Sequence, residues 1–366
     1  MARSNFGSIE KRGTDTWRIW WTAGGQRHSK TIHGAKANAV KELARIQIET
    51  EGIERDATWA DYWELRVQPS FSRDGLEKKT VDDYEGTWRR HLEPLIASRW
   101  VSQTTALMVE NTLAKIPAGP AVKAGRLWKK MCRMAMRDGA LMRDPFLGVR
   151  VKVPAKRAKR LLAADEVLPW MAMLDGSKAE PVLLCELGGG LRHEEACALT
   201  WEDVTAWEYR GITYAVLNVS KALVTAQGGK YLKDTKTAFS DREVVVGEPF
   251  ASRLLAIKKT GPLCASGKVD HADAATPFTC PGAITRNYKG WCERRGVDYV
   301  KPAHLRSTFA TLHGEAGSPD SLVSGAMGHA DATTKARNYQ AITRRGLALI
   351  ADNLAELITM NAPERR

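Results

Sequence analysis

The sequence predicts an α+β chain: mainly helical, with small β-sheets, and divided into several domains. Three observations lead there. The 366 residues exceed what one compact core accommodates. Strand-like alternation is confined to two stretches, one near the N-terminus and one over residues 212–246. Most of the remaining chain repeats apolar residues at helical spacing or carries helix start and stop signals. With 43% hydrophobic and 27% charged residues, the composition is that of ordinary soluble globular protein rather than disordered chain.

Residues 1–54 form the first predicted domain. GSIEKRG and WRIWWTA read as strands, with Trp17, Ile19 and Trp21 alternating against Arg18 and Trp20. Gly24-Gly25 predicts a hairpin turn, and RHSKTIHG returns as a third strand. AKANAVKELARIQIET follows as an amphipathic helix with Ala37, Val40, Leu43 and Ile46 on one stripe, and Gly52 as its stop. Nine Lys/Arg against five acids up to residue 52 leave this domain only mildly basic.

Residues 55–150 read as a helical domain. Thr58 is the expected cap of ATWADYWELRVQPS, and Thr80 that of TVDDYEGTWRRHLEPLIA. Pro117, Gly119 and Pro120 mark a turn before AVKAGRLWKKMCRMAMRDGAL, whose Leu127, Met131 and Met134 are core candidates. Asp144-Pro145-Phe146 then punctuates the chain. Residues 151–160 are a basic, extended linker, and residues 161–366 form the last domain. There Ala164-Asp165-Glu166-Val167 opens a helix, residues 212–246 form one short antiparallel sheet, and most of the rest is helical. Leu347, Ile350, Leu354 and Leu357 make a late apolar stripe, either a docking helix for a neighbouring protomer or a helix folded back on its own domain.

Charge narrows the partner. The net charge is +13 and the pI near 9.5, which favours a polyanion. Between residues 122 and 160 stand thirteen Lys/Arg and two acids, a net +11 in one stretch. Lys129, Lys130, Arg133 and Arg137 on the long helix, and Lys156, Arg157, Lys159 and Arg160 in the linker, are the candidate phosphate contacts. The six cysteines include no C-x-x-C pair, so a zinc ribbon is not expected, nor is any other metal or cofactor. No signal-peptide pattern and no bilayer-length apolar run is present, which predicts a reduced cytoplasmic setting without membrane contact.

The most specific pattern lies late in the chain. GHADATTKARNYQAI carries His329 ten residues ahead of Tyr339; AHLRSTFAT carries Arg306; GGGLRHEEACALTWEDV carries Arg192. Two arginines, a histidine and a tyrosine suit metal-free cleavage of a phosphodiester. Arg places a permanent, two-pronged cation on the non-bridging oxygens, where negative charge develops. A tyrosine hydroxyl can attack phosphorus and hold the cut end covalently. A lysine can return a proton to the leaving oxygen. Glu195, one turn after Arg192, is placed to orient its guanidinium. Arg306 lies off the apolar stripe Leu305, Phe309, Leu312 and Ala316, and so is free to face a site.

These motifs resemble those of the tyrosine recombinases, specifically the phage integrases, over nearly the whole chain. Leu191-Arg192-His193-Glu194-Glu195 and Trp201-Glu202-Asp203 match the family's G-L-R-x-x-E and W-x-D elements, with Glu195 and Asp203 as supports. The resemblance implies that Tyr339 is the nucleophile, that Arg192 and Arg306 clamp the phosphate, and that His329 bonds the phosphate or the tyrosine. It implies Lys236 as general acid in a β-hairpin, with Lys230 and Lys233 as competitors. It departs at the H-x-x-R box, where Ala303 stands three residues before Arg306 and His304 comes one residue late. His304 then takes over that role through a distorted first turn, or is structural, or the function is missing.

Carried over whole, the resemblance implies an arm-type DNA-binding domain, a helical core-binding domain and a recombinase catalytic domain. The implied partners are double-stranded DNA with core and arm attachment sites, a homotetramer on that DNA, a host DNA-bending protein and a directionality factor, in a bacterial cytoplasm at the nucleoid. The alternatives are a chromosome-dimer resolving recombinase, a type IB topoisomerase, a nuclease, and a non-enzymatic repressor or scaffold descended from a recombinase.

Overall fold

The computed structural model describes residues 7–23, 26–51, 57–155, 158–227, 229–234, 241–265, 277–328 and 343–363. The chain divides into two compact units, Met1–Lys156 and Arg157–Arg366.

In the first unit β1 (Gly7–Gly13), β2 (Thr16–Ala23) and β3 (Gln26–His33) form an antiparallel sheet in that order, with Ile9, Ile19 and Lys30 in register. Alternation puts Trp17, Ile19 and Trp21 on one side, where Ile19 is fully buried under α1 (Lys36–Glu51). On the other side Trp20 has the guanidiniums of Arg18 and Arg27 each 4.6 Å from its ring. The helix stripe differs from expectation at two positions: Ala37 is exposed and Val40 48% exposed, while Ala39 is buried beside Leu43 and Ile46. Three strands cover only a narrow face, and Ala39, Leu43 and Ile46 suffice to meet it. Gly24, Gly25 and Gly52 lie outside the described residues.

Helices α2 (Trp59–Tyr62), α3 (Gln68–Arg73), α4 (Lys78–Thr87), α5 (Glu93–Ile96), α6 (Ala106–Ala114) and α7 (Ala118–Arg137) follow. Thr58 caps α2 as expected, its hydroxyl accepting from the Asp61 amide at 3.2 Å. Thr80 does not cap α4, which begins two residues earlier after Glu77. The expected turn at Pro117–Pro120 is the start of α7, because proline fits a first helical turn. Two π-helical turns, Trp63–Val67 and Trp88–Leu92, each begin on a tryptophan, and these two rings stack 4.7 Å apart. Leu127, Trp128 and Met131 of α7 fill the core. Asp138 ends α7 and accepts from the Tyr62 hydroxyl at 2.6 Å and from Arg66 at 3.0 and 3.1 Å. Burial alone would raise the Asp138 pKa; Arg66 and Tyr62 hold it below the ordinary carboxylate value.

The second unit begins with α8 (Ala164–Leu174), α9 (Glu180–Gly189) and α10 (His193–Ala196). Then come β4 (Val204–Tyr209), β5 (Ile212–Val219), β6 (Lys221–Ala226), β7 (Gly229–Asp234) and β8 (Arg242–Val246). The expected single sheet is two. Strands β4, β5 and β8 form one sheet in that order, and β6–β7 is a separate hairpin. Strand β8 returns to β5 with Val244 opposite Leu217, so the apolar ends of both strands are buried together. Helices α11 (Phe250–Ala256), α12 (Pro281–Arg295), α13 (Pro302–Glu315), α14 (Asp320–Met327) and a C-terminal helix, Arg344–Met360, complete the unit.

That last helix is capped by Thr343 and buries Leu347, Ile350, Leu354 and Ile358, with Leu357 partly covered. It packs on β8, α13, α14 and α8 of its own unit, and Asp352 accepts from the Tyr214 hydroxyl at 2.7 Å. The apolar stripe is thus buried within its own unit. No helix among the described residues is long and apolar enough to cross a membrane.

His313 at the end of α13 is 1% exposed, 3.0 Å from the Ser318 hydroxyl. Burial brings its pKa from 6.5 down to about 4. On acidification the unfolded chain therefore binds the proton first. Stability should be full above the unfolded value and fall by up to ~3 kcal/mol as pH drops towards the folded value. Urea unfolding at neutral and mildly acidic pH measures this, and His313→Gln should flatten the dependence. An unchanged slope in that variant would place the acid sensitivity elsewhere.

Candidate active site

The site is built on helix ends. Helix α9 stops at Gly190, in the left-handed region at φ +66°. A Cβ there would lie 2.6 Å from the Phe309 ring, so only glycine lets α13 pack this close. Arg192 follows as the N-cap of α10, and Glu195 reaches back to accept from the Arg192 amide at 3.0 Å. The three-residue spacing thus does two things. It caps the helix start, and it brings the Glu195 carboxylate within 2.7 Å of Arg192 Nη1.

Helix α14 ends at Gly328, also left-handed at φ +66°. A helix end leaves carbonyls without intrahelical partners and carries partial negative charge. Here three consecutive carbonyls each receive a different guanidinium. Arg242 Nε donates to Ala326 at 2.7 Å, Arg306 Nη2 to Met327 at 2.8 Å, and Arg192 Nη2 to Gly328 at 3.0 Å. Arg306 Nη1 also donates to Gly190 at 2.6 Å, tying α13 to the end of α9. One helix terminus therefore gathers arginines from α10, β8 and α13.

The charges are unequal in exposure. The Arg192 side chain is 42% exposed, whereas Arg242 is 8% and Glu195 4% exposed. Glu195 accepts from Arg242 Nη2 at 2.9 Å as well as from Arg192. Burial pushes the Glu195 pKa up; Arg242 first, then Arg192, pull it below the ordinary carboxylate value, so the group is ionised. Among the described residues, no carboxylate is bonded to Arg306. Burial, and next the repulsion of Arg192, bring its pKa down to about 10, which still leaves it charged at neutral pH. Such a field attracts an anion.

The structure brings Arg192, Glu195 and Arg306 together, and it adds Arg242, which the sequence reading passed over as part of a strand. The available signal was an arginine two residues ahead of the apolar run Val244–Val246. Asp203 stands apart from the arginines' bonds: its carboxylate caps its own 3-10 turn, accepting from the Thr200 amide and hydroxyl, each at 2.9 Å. His304 lies in the first turn of α13, where its amide donates to the Lys301 carbonyl at 2.7 Å and the Leu305 amide to the same oxygen at 3.3 Å. Among the described residues the His304 Nδ1 is enclosed without a hydrogen-bond partner, and Ala303 is exposed. Lys236, His329 and Tyr339 lie outside the described residues, as do Lys156 and Arg157.

Among the other basic candidates, Lys129, Lys130, Arg133 and Arg137 line one depression along α7, together with Arg126 and Met134. Lys130 is partly engaged, 4.0 Å from Asp74 and 5.1 Å from the Tyr84 ring centre. Lys159 donates to Ser307 on α13 at 3.0 Å. Arg160 is paired with Glu166, Nη1 to Oε2 at 2.9 Å, and so braces the start of α8.

Comparison with known proteins agrees with this arrangement. The phage integrase family matches residues 155–345, more than half of the chain. A tyrosine recombinase XerC-like protein of Caldanaerobacter subterraneus subsp. tengcongensis is 21% identical, over 90% of this chain and 93% of its own. The Tn1549 transposon integrase in complex with a circular intermediate DNA superposes with a TM-score of 0.60 at 17% identity, covering 81% of this chain and 99% of that one. The lambda integrase tetramer bound to a Holliday junction gives 0.54 at 15% identity, covering 92% and 98%. The motifs around Arg192 and Arg306 and the matched segment point the same way: the chain belongs to the phage integrase family of tyrosine recombinases.

Proposed function

We propose that this chain is a DNA integrase that cuts and rejoins strands at specific sites through a 3′-phosphotyrosyl link. The observation that carries the reading is the cation cluster at the end of α14, where Arg192 and Arg306 donate to the neighbouring Gly328 and Met327 carbonyls. Arg192 and Arg306 hold the non-bridging oxygens of the scissile phosphate as charge builds on them. Tyr339 attacks phosphorus, and the leaving 5′ oxygen takes a proton from Lys236. His329, directly after Gly328, hydrogen-bonds the phosphate or the tyrosine. The link conserves the energy of the broken bond, and a DNA hydroxyl reverses the step on the second strand. Glu195 keeps Arg192 aimed.

The DNA in the Tn1549 and lambda integrase complexes, and the lambda tetramer on a Holliday junction, support a homotetramer on double-stranded DNA for this chain. We assign the sheet-and-helix domain of residues 1–54 to arm sites, residues 55–150 to core sites, 151–160 to the linker and 161–366 to catalysis. A host DNA-bending protein and a directionality factor complete the assembly, which acts in a bacterial cytoplasm. Ala303 is the one feature favouring a non-enzymatic binder.

The test is covalent capture. Nicked genomic DNA is mixed with the protein and denatured, and protein-bound fragments are sequenced. A denaturation-resistant adduct with a common site supports the reading, and tight binding without any adduct would move it to the binder. In the same assays, replacing Lys129, Arg133 and Arg137 with Gln should lower the slope of log affinity against log salt by up to about 3. An unchanged slope would clear α7 of phosphate contact.

A further inference from the structure

Arg242 lies under the site rather than in it. It begins β8 on the same side as Val244, and its side chain is 8% exposed. Nε holds the Ala326 carbonyl at 2.7 Å and Nη2 the Glu195 carboxylate at 2.9 Å, with Nη1 3.5 Å from the other oxygen. Its guanidinium also lies against Gly328. A Cβ on Gly328 would come within 2.9 Å of Arg242 Cζ. The residue therefore touches the carboxylate that aims Arg192 and the helix end that both Arg192 and Arg306 grip.

We infer that Arg242 is a positioning residue for strand cleavage: it is the permanent counter-charge of Glu195 and so leaves Arg192 free to turn to the phosphate. The inference rests on the proposed cleavage reaction. Glu195 has two guanidinium partners of different exposure. With Arg242 in place, Arg192 can shift its donors to the phosphate and the buried carboxylate stays compensated. Without Arg242, the guanidinium bonded to Glu195 among the described residues is that of Arg192. Glu195 then either holds Arg192 back or takes up a proton, and the Ala326 carbonyl loses its tie as well. A displacement of about 1 Å in a clamp of this kind lowers a rate by roughly 100-fold.

The groups facing Glu195 are Arg192 from α10, Arg242 from β8 and, at longer range, Arg306 from α13. Losing Arg242 should raise the pH at which Glu195 protonates, so cleavage should acquire an acid limb at higher pH than in the wild type.

The experiment compares the wild type with Arg242→Gln, Arg242→Lys, Glu195→Gln and the double variant Arg242→Gln/Glu195→Gln. The probe is a nicked duplex bearing the sequence recovered with wild-type protein by covalent capture. Affinity, adduct rate and the rate's pH profile are read, with thermal unfolding as a check on folding. Arg242→Gln should bind this duplex as the wild type does yet form adduct about 100-fold more slowly. Arg242→Lys should recover part of the rate. The double variant should be no worse than Arg242→Gln, because one residue acts through the other. Wild-type adduct rates in Arg242→Gln would overturn the inference. So would losses in the two single variants that simply add in the double, because Arg242 would then not act through Glu195. If Arg242→Gln fails to fold, Arg242→Lys against Glu195→Gln decides by the same pH profile. Absence of adduct from the wild type itself would instead remove the proposed reaction.

Discussion

Tyr339→Phe should bind DNA with the affinity and salt dependence of the wild type and form no covalent adduct at all. The ring is kept and only the oxygen is lost, so packing and charge are preserved. A phenol oxygen has an ordinary pKa of about 10 and is a poor nucleophile at neutral pH. Its proton must leave as it attacks, and cations held at the scissile phosphate would favour that loss. No water-activating group is invoked, so hydrolysis should not replace the lost step. Denaturing gels of the wild type and the variant on the captured site measure this directly. Adduct formation by Tyr339→Phe would end the assignment of the nucleophile, and equal loss of DNA binding would make Tyr339 a structural residue.

Arg306→Ala should lower the cleavage rate by about 10³-fold or more, the effect expected of an arginine that neutralises a phosphoryl transition state. Its effect on stability should be much smaller, because two contributions oppose. Two carbonyls, those of Gly190 and Met327, lose a donor, which costs about 1–3 kcal/mol. Against this, a buried cation that repels Arg192 is removed. Arg306→Lys should recover little of the rate, because an ammonium cannot bridge Gly190 and Met327 and also present a fork to the phosphate. Single-turnover cleavage with thermal unfolding on the same samples separates the two effects. Near-normal cleavage by the alanine variant would take Arg306 out of the site.

Legibility in the sequence followed the range of the interaction. Local signals were sufficient where the cause is local. Thr58 caps α2, Ile19 faces inward, and the R-x-x-E spacing at Arg192 and Glu195 predicts their contact. The signals were insufficient where a distant partner decides. Val40 and Ala39 fit a helical stripe almost equally well, and the width of the sheet chose Ala39. Strands β6 and β8 are both strand-like, and nothing between them shows that β8 pairs with β5. Arg242 was invisible because its partners, Glu195 and Ala326, lie 47 and 84 residues away.

The grip of three arginines on Ala326, Met327 and Gly328 has a consequence for how this sequence can drift. Backbone oxygens carry no residue identity, so the side chains at 326 and 327 are free of the task, and only glycine at 328 is demanded by shape. The constraint falls on length. Each residue of an α-helix turns the chain by about 100°, so one residue inserted into or deleted from α14 would swing all three oxygens off their arginines together. A one-residue insertion or deletion between Asp320 and Met327 would thus be a harsher change than most substitutions in the same stretch.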